Sequence, residues 1–158
     1  LNIGLGARVV NITNGTRRFW EMQWLSFLSS MFLLLFERKL HRMHIKVNGE
    51  HIRDRIMTIC IGSARGYGLT PSAVPYNGWL DVSVVYRPEL MQLLKGLWLL
   101  VQGRLLNLRQ VVKPYRTRKV KILRAQNAAI SLDGRQLYAD CPLDVRILPE
   151  ALTLIIPK

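Results

Sequence analysis

Apolar and polar residues alternate in short runs along much of the chain, and the runs are separated by turn-forming residues. His44-Ile45-Lys46-Val47 leads into Asn48-Gly49, a strong two-residue hairpin signal, and the following residues return as a strand that ends at Gly62. Met43–Gly62 thus reads as one hairpin, with Ile56, Thr58 and Cys60 on one face of the returning strand and Met57, Ile59 and Ile61 on the other. Both faces are mostly apolar, so this strand is expected at the centre of a sheet. Trp79–Tyr86 is a second apolar strand. Lys113–Arg124 reads as a strand with Lys119 and Lys121 on one face and Val120 and Ile122 on the other. Ala128–Leu132 runs into Asp133-Gly134, a second hairpin turn, and Arg135–Asp140 returns. Cys141-Pro142 turns again, Leu143–Leu148 alternates, and Leu152–Ile156 is the last strand. At the other end, Leu1–Val10 reads as a short strand broken by Gly4 and Gly6. Its G-x-G opens no helix with a third glycine, which argues against a dinucleotide-binding turn. Leu105–Val112 fits either a helix tail or a strand.

Two segments are helical in pattern. Phe19–Leu40 has no internal glycine or proline and is apolar nearly all the way round between Trp24 and Phe36. About 15 residues at ~1.5 Å each span roughly 22 Å, short of the ~30 Å bilayer core. A buried helix, or one that borders an acyl-chain site or the membrane interface, fits better than a membrane span. Pro88 suits a first helical turn, and Glu89–Val101 follows as a second, apolar helix that Gly103 can cap. About eight to ten short strands with two helices describe a mainly β chain, a sandwich or a barrel. Gly62–Tyr86 interrupts the pattern with a long loop. Pro71 and Pro75 exclude helix there, Gly66 and Gly68 permit positive φ or close backbone approach, and the loop opens directly into a strand. A long ordered loop in such a place is more often functional than idle.

The 158 residues suit a single domain with a real core. Net charge is +13, from 23 Lys and Arg against 10 Asp and Glu. An anionic partner follows, or an acidic partner domain that balances the charge. Lys113–Arg124 is the densest basic run. Nucleic acid fits it poorly, because Tyr115 is its only aromatic and no recognition motif accompanies it. Cys60 and Cys141 are isolated, which points to a reduced, cytoplasmic setting and away from a zinc site. His41, His44 and His51 lack a clustered carboxylate and read as surface histidines. Asn11 and Asn14 head formal glycosylation sequons, read here as loop polarity because no export signal precedes them. The chain starts at Leu1 in what already reads as a strand, as a piece of a longer protein would.

Several of these segments, in this order, resemble the second domain of the diacylglycerol and sphingosine-type lipid kinases. Pro71-Ser72-Ala73 leading to Asn77-Gly78-Trp79-Leu80-Asp81 is similar to that family's glycine-rich, P-x-A, D-D-G-x-L-D segment. Ile130-Ser131-Leu132-Asp133-Gly134-Arg135 is similar to its late D-G-E hairpin, Leu143–Pro157 to its closing strands, and Asn2, Gly4 and Gly6 to its entry into the second domain. The resemblance covers nearly the whole chain and one of the family's two domains.

It implies a two-layer β-sandwich with one or two helices, the lipid-side half of a two-domain kinase. The ATP-binding α/β domain with its G-G-D-G-T loop would lie outside these residues, and this half alone would be inactive. Asp133 would be the general base on the lipid hydroxyl. Arg65, Gly66 and Gly68 would contact substrate, and Asn77 and Asp81 would stand near a structural divalent-cation site, with ATP and Mg2+ as the cofactors. Partners would be a lipid substrate, an anionic membrane surface and the chain's own ATP-binding domain, with peripheral association from the cytoplasm. A homodimer is compatible but not readable. Three departures matter. Arg135 replaces the Glu of D-G-E and can contact phosphate. Tyr76-Asn77 replaces two aspartates, which hard cations prefer. Arg65 adds a cation to the glycine-rich loop. A non-catalytic lipid-binding sandwich is the alternative, and the NAD kinases, which share the two-domain plan, are a weaker one.

Overall fold

A computed structural model of the protein describes residues 1–8, 39–64, 70, 73–75, 77–89, 91–92, 95, 98–99 and 111–148, and ten strands account for most of the regular structure among these described residues. In chain order they are β1 (Asn2–Gly4), β2 (His41–Val47), β3 (Glu50–Ile56), β4 (Thr58–Gly62), β5 (Leu80–Val85), β6 (Val112–Thr117), β7 (Lys119–Ala125), β8 (Ile130–Leu132), β9 (Arg135–Leu137) and β10 (Leu143–Arg146). They form two antiparallel sheets, a six-stranded β6-β5-β4-β1-β8-β9 and a four-stranded β10-β7-β2-β3. The mainly β sandwich expected from the sequence is the fold.

Period-two alternation builds the core between the sheets. Ile59 and Ile61 of β4 and Val82 and Val84 of β5 meet Ile45 and Val47 of β2 and Val120 and Ile122 of β7, with Ile3 of β1 filling the centre. Fully burying each such side chain stabilises by roughly 1.5–3 kcal/mol. The six-stranded sheet is covered on its other face as well, where Cys60, Ser83 and Ser131 are buried. The four-stranded sheet exposes its outer face. Both hairpin turns have the positive φ pair that their sequences demand, Asn48 (50°) with Gly49 (84°) and Asp133 (46°) with Gly134 (81°).

Several expectations change. The strand expected from Met43 to Gly62 after the first turn is two strands in different sheets, bent at Met57. The Met57 N–H donates to Val85 O (2.9 Å) and its carbonyl accepts from Leu5 N (3.0 Å), both outside the four-stranded sheet. The inward residues are Ile52 and Ile56 before the bend and Ile59 and Ile61 after it, a three-residue step that alternation cannot supply. Lys113–Arg124 bends likewise at Arg118, between β6 and β7. β1 is only three residues long. At Gly4 (φ 85°) the chain turns into a helical turn at 5–8, so this G-x-G does open a helical turn. His41 is buried, contrary to the surface reading, because it stands on the inward side of β2; its Nδ1 bonds Gln126 O at 3.2 Å. β9 ends at Leu137 rather than Asp140.

The first expected helix, Phe19–Leu40, lies outside the described residues except for Lys39 and Leu40, which are not helical. Within Glu89–Val101, positions 91–92, 95 and 98–99 are helical, and Met91 and Trp98 are exposed. The expected strand Leu152–Ile156 and both sequons also lie outside the described residues. Among the described residues no helix is long and apolar enough to cross a membrane.

Candidate functional site

The centre of the six-stranded sheet decides which loops meet. β1 pairs antiparallel with β4 on one side (Asn2↔Cys60) and with β8 on the other (Asn2↔Ser131). β4 and β8 therefore run parallel, with β1 between them. The loop after Gly62 and the turn after Leu132 leave from the same end of the sheet, roughly 10 Å apart at two strand spacings. β5 and β6 extend the row, because Gly62 pairs with Asp81 and Asp81 with Arg116. One end of the sheet thus gathers Asp133, the Gly62 loop, Asp81 and Arg116.

Asp133 stands at the tip of the β8–β9 turn and is exposed. Aspartate tolerates the left-handed conformation there, so the turn holds a solvent-accessible carboxylate on a short, paired hairpin. Such a group can accept a proton from an alcohol brought within hydrogen-bond reach. Arg135, opposite Leu132 in register, is exposed beside it. Leu132 and Leu137 of the same hairpin also expose apolar surface.

The Gly62 loop starts tightly. Thr70 Oγ1 donates to Ala64 O (3.1 Å), Ala73 N donates to Thr70 O (3.2 Å), and Thr70 is buried. A Cβ at Gly62 would lie 3.1 Å from Thr70 Oγ1 and 3.3 Å from Ala64 O, a close fit that a larger residue would press against. Arg65, Gly66 and Gly68 lie outside the described residues.

Asp81 and Asn77 are each engaged. Asp81 Oδ1 accepts from Arg116 Nε at 2.9 Å, with the Asp81 side chain 11% exposed, and its buried Oδ2 has no partner among the described residues. The hydrogen bond and charge of Asp81 push the Arg116 guanidinium pKa up. Asn77 Oδ1 accepts from Trp79 N at 2.9 Å, an Asx turn that starts β5. A hard cation needs several oxygens, carboxylates above all. Here one carboxylate faces a guanidinium and the amide oxygen closes a turn, and the described residues include no group of three His, Cys, Asp or Glu that could hold a metal. The described residues do not fit Mg2+ at Asn77 and Asp81. Arg116 is the residue that sequence reasoning missed: its partner lies 35 positions away and is set by the β5–β6 register, which no local pattern reveals.

Burial pushes the Cys60 thiol up to about 12, so it is inert. A cavity of about 570 Å³ lined by Arg8, Lys39, His41 and Arg42 lies past the far end of β1.

The model of the YegS C-terminal NAD kinase β-sandwich-like domain matches residues 1–156. No curated protein matches the chain. Among solved structures, three from Bacillus anthracis str. Sterne, two designated putative diacylglycerol kinases and one a diacylglycerol kinase, are similar at 14% identity. One covers 94% of this chain and 48% of its own with a TM-score of 0.64. The others cover 81% and 42% at 0.55, and 75% and 43% at 0.54. The chain spans about half the length of these proteins, and the likeness is one of fold.

Proposed function

Because the chain belongs to the family of the YegS C-terminal NAD kinase β-sandwich-like domain, we propose that it is the lipid-receiving half of an ATP-dependent kinase acting on a lipid hydroxyl. The observation that carries the reading is the convergence at one end of the six-stranded sheet. Register sets the Gly62 loop and the Asp133 turn side by side there. Exposed Leu132 and Leu137 beside the carboxylate suit an apolar substrate, and the designation of the similar structures agrees.

In this reading Asp133 takes the proton of the acceptor hydroxyl as the oxygen attacks the γ-phosphate of ATP, and ADP leaves. ATP is held mainly by a preceding α/β domain, which also supplies the groups for its Mg2+. Arg135 lies where a cation can meet phosphate oxygens, and Arg65, Gly66 and Gly68 border the lipid headgroup. The basic surface holds the protein against an anionic membrane from the cytoplasm.

The test uses the full-length protein with ATP and detergent-dispersed diacylglycerol or a sphingoid base. Asp133→Asn removes the base while keeping a residue that favours the same turn. Turnover should drop by at least about a hundredfold with thermal stability unchanged; activity close to wild type would sink the assignment. Arg135 in place of an acid favours a second reading, a sandwich that binds lipid without catalysis. Lipid binding by wild type with no phosphate transfer at all would select it.

A further inference from the structure

The outward residues of the four-stranded sheet form a continuous cationic lattice. Arg55 of β3 lies opposite Arg42 of β2. In the next row Arg53, His44 and Arg124 stand side by side. His51, Lys46 and Lys121 follow, ending at Asp144 of β10, and Arg146 lies opposite Lys119. Asp144 is the only acid in these rows, and Lys119 Nζ meets it at 2.9 Å. The β7 register shifts where His44 meets Arg124. This bulge turns Arg124 outward, where unbroken alternation from Val120 and Ile122 would point it into the core.

Like charges placed directly opposite one another destabilise a sheet, and their stacking over four strands calls for an anionic counter-surface. The face has no Phe, Tyr or Trp in any of its rows, so it offers nucleobases nothing to stack on. It is a sheet face and not a protruding helix or ribbon that would enter a groove. At the site end of the molecule the lattice meets an amphipathic edge. The Arg118 guanidinium lies 4.8 Å from the centre of the Trp79 ring, Trp79 is exposed, and the two residues sit where β6 bends into β7. An exposed tryptophan bordered by cations suits the headgroup layer of a bilayer.

We infer that the outer face of the β10-β7-β2-β3 sheet is the surface by which the protein docks on a bilayer rich in anionic phospholipid. The inference rests on the lipid-kinase reading for its purpose but not for its geometry. Docked this way, the Lys119–Arg146 row and the Trp79–Arg118 edge lie on the side of the face nearest Asp81 and the Gly62 loop. The lattice contains the His44–His51 pair (Nε2 to Nδ1, 3.0 Å), with Arg53 Nε donating to His44 Nε2 at 3.3 Å and Arg124 and Lys46 flanking it. Anionic headgroups over His44, whose pKa is held down by local desolvation and then by Arg53 and His51, favour its protonated form, so docking should strengthen as pH falls through the imidazole range.

The test is co-sedimentation of the full-length protein with phosphatidylglycerol–phosphatidylcholine vesicles and with pure phosphatidylcholine vesicles. Lys46→Gln/Arg53→Gln/Lys121→Gln should lower partitioning to the anionic vesicles by about fivefold per residue, on the order of a hundredfold together. Arg87→Gln/Lys95→Gln/Lys113→Gln removes the same charge elsewhere and should cost far less. Lys46→Gln alone should lose about fivefold, so the outcome does not depend on the triple variant folding. Equal losses in both triples, or tighter binding to duplex DNA than to vesicles, overturns the inference. Wild-type vesicle binding by the face triple overturns it even if the protein is an active lipid kinase. Vesicle binding lost with the face triple, in a protein that transfers no phosphate, supports the docking face and removes the kinase reading alone.

Discussion

Gly4 offers a measurement of how tightly the first strand is fitted. Its φ is 85°, and a Cβ built there would lie 2.5 Å from the carbonyl oxygen of Met57 and 3.2 Å from Met43 Cε. The Met57 oxygen cannot retreat freely, because it accepts the Leu5 N–H at 3.0 Å. Gly4→Ala therefore carries two penalties. The left-handed backbone costs an L-residue about 1–2 kcal/mol, and forcing a methyl into a filled corner costs about 1–3 kcal/mol more. Gly49→Ala isolates the first, since Gly49 has φ 84° and nothing within 4 Å of its Cβ position. Urea denaturation followed by circular dichroism should give a loss of about 2–5 kcal/mol for Gly4→Ala and about 1–2 kcal/mol for Gly49→Ala. Equal losses for the two would refute the steric account of the Met57 corner. A loss below about 0.5 kcal/mol at Gly4, within the usual surface range, would refute the backbone account too.

Arg116→Gln should lower the urea midpoint, because it leaves a buried carboxylate without its guanidinium donor; adding Asp81→Asn should restore part of that, and a fully additive double variant would speak against the pair. Cys60 should resist iodoacetamide in the native protein and react once urea unfolds it, as mass spectrometry of the alkylated peptides would report, since its thiol pKa is pushed up to about 12 by burial. The His44 pKa is held below the ordinary imidazole value, first by local desolvation and then by Arg53 and His51. The unfolded chain then binds that proton at higher pH than the folded one, so this group's contribution to stability falls as pH drops below about 6.5. Urea midpoints measured over a pH series should be flatter there for His44→Gln than for wild type.

The alternation of Ile45, Val47, Val82, Val84, Val120 and Ile122 made the strands legible, and Asn48-Gly49 and Asp133-Gly134 marked their turns correctly. Those signals are local, since each depends on residues a few positions apart. What alternation hid was the passage between layers. At Met57 and at Arg118 the inward parity skips a position, from Ile56 to Ile59 and from Thr117 to Val120. A sequence reader who follows one period through either bend assigns Thr58 and Cys60 to the face of Ile56, whereas they point away from the core that Ile56 fills. The Asp81–Arg116 pair and the clustering of Arg124 with Arg53 depend on non-local register and on a bulge. Neither carries a signature in its own neighbourhood. Asp133 was legible as a turn from its dipeptide alone; the proposal that it acts as a base comes only from the family likeness.

β1, three residues between β4 and β8, acts as a ruler. The separation of the Gly62 loop from the Asp133 turn is set by two ladders of main-chain hydrogen bonds, to which the buried Thr58 hydroxyl adds by donating to Ile3 O and accepting from Gly6 N. Side chains other than Thr58 can therefore change while the gap between the two loops keeps its width. A sandwich that retains its architecture at 14% identity is what such a gauge permits. Its tolerance ends at Gly4, the point where main chain meets main chain and even a methyl group has no room.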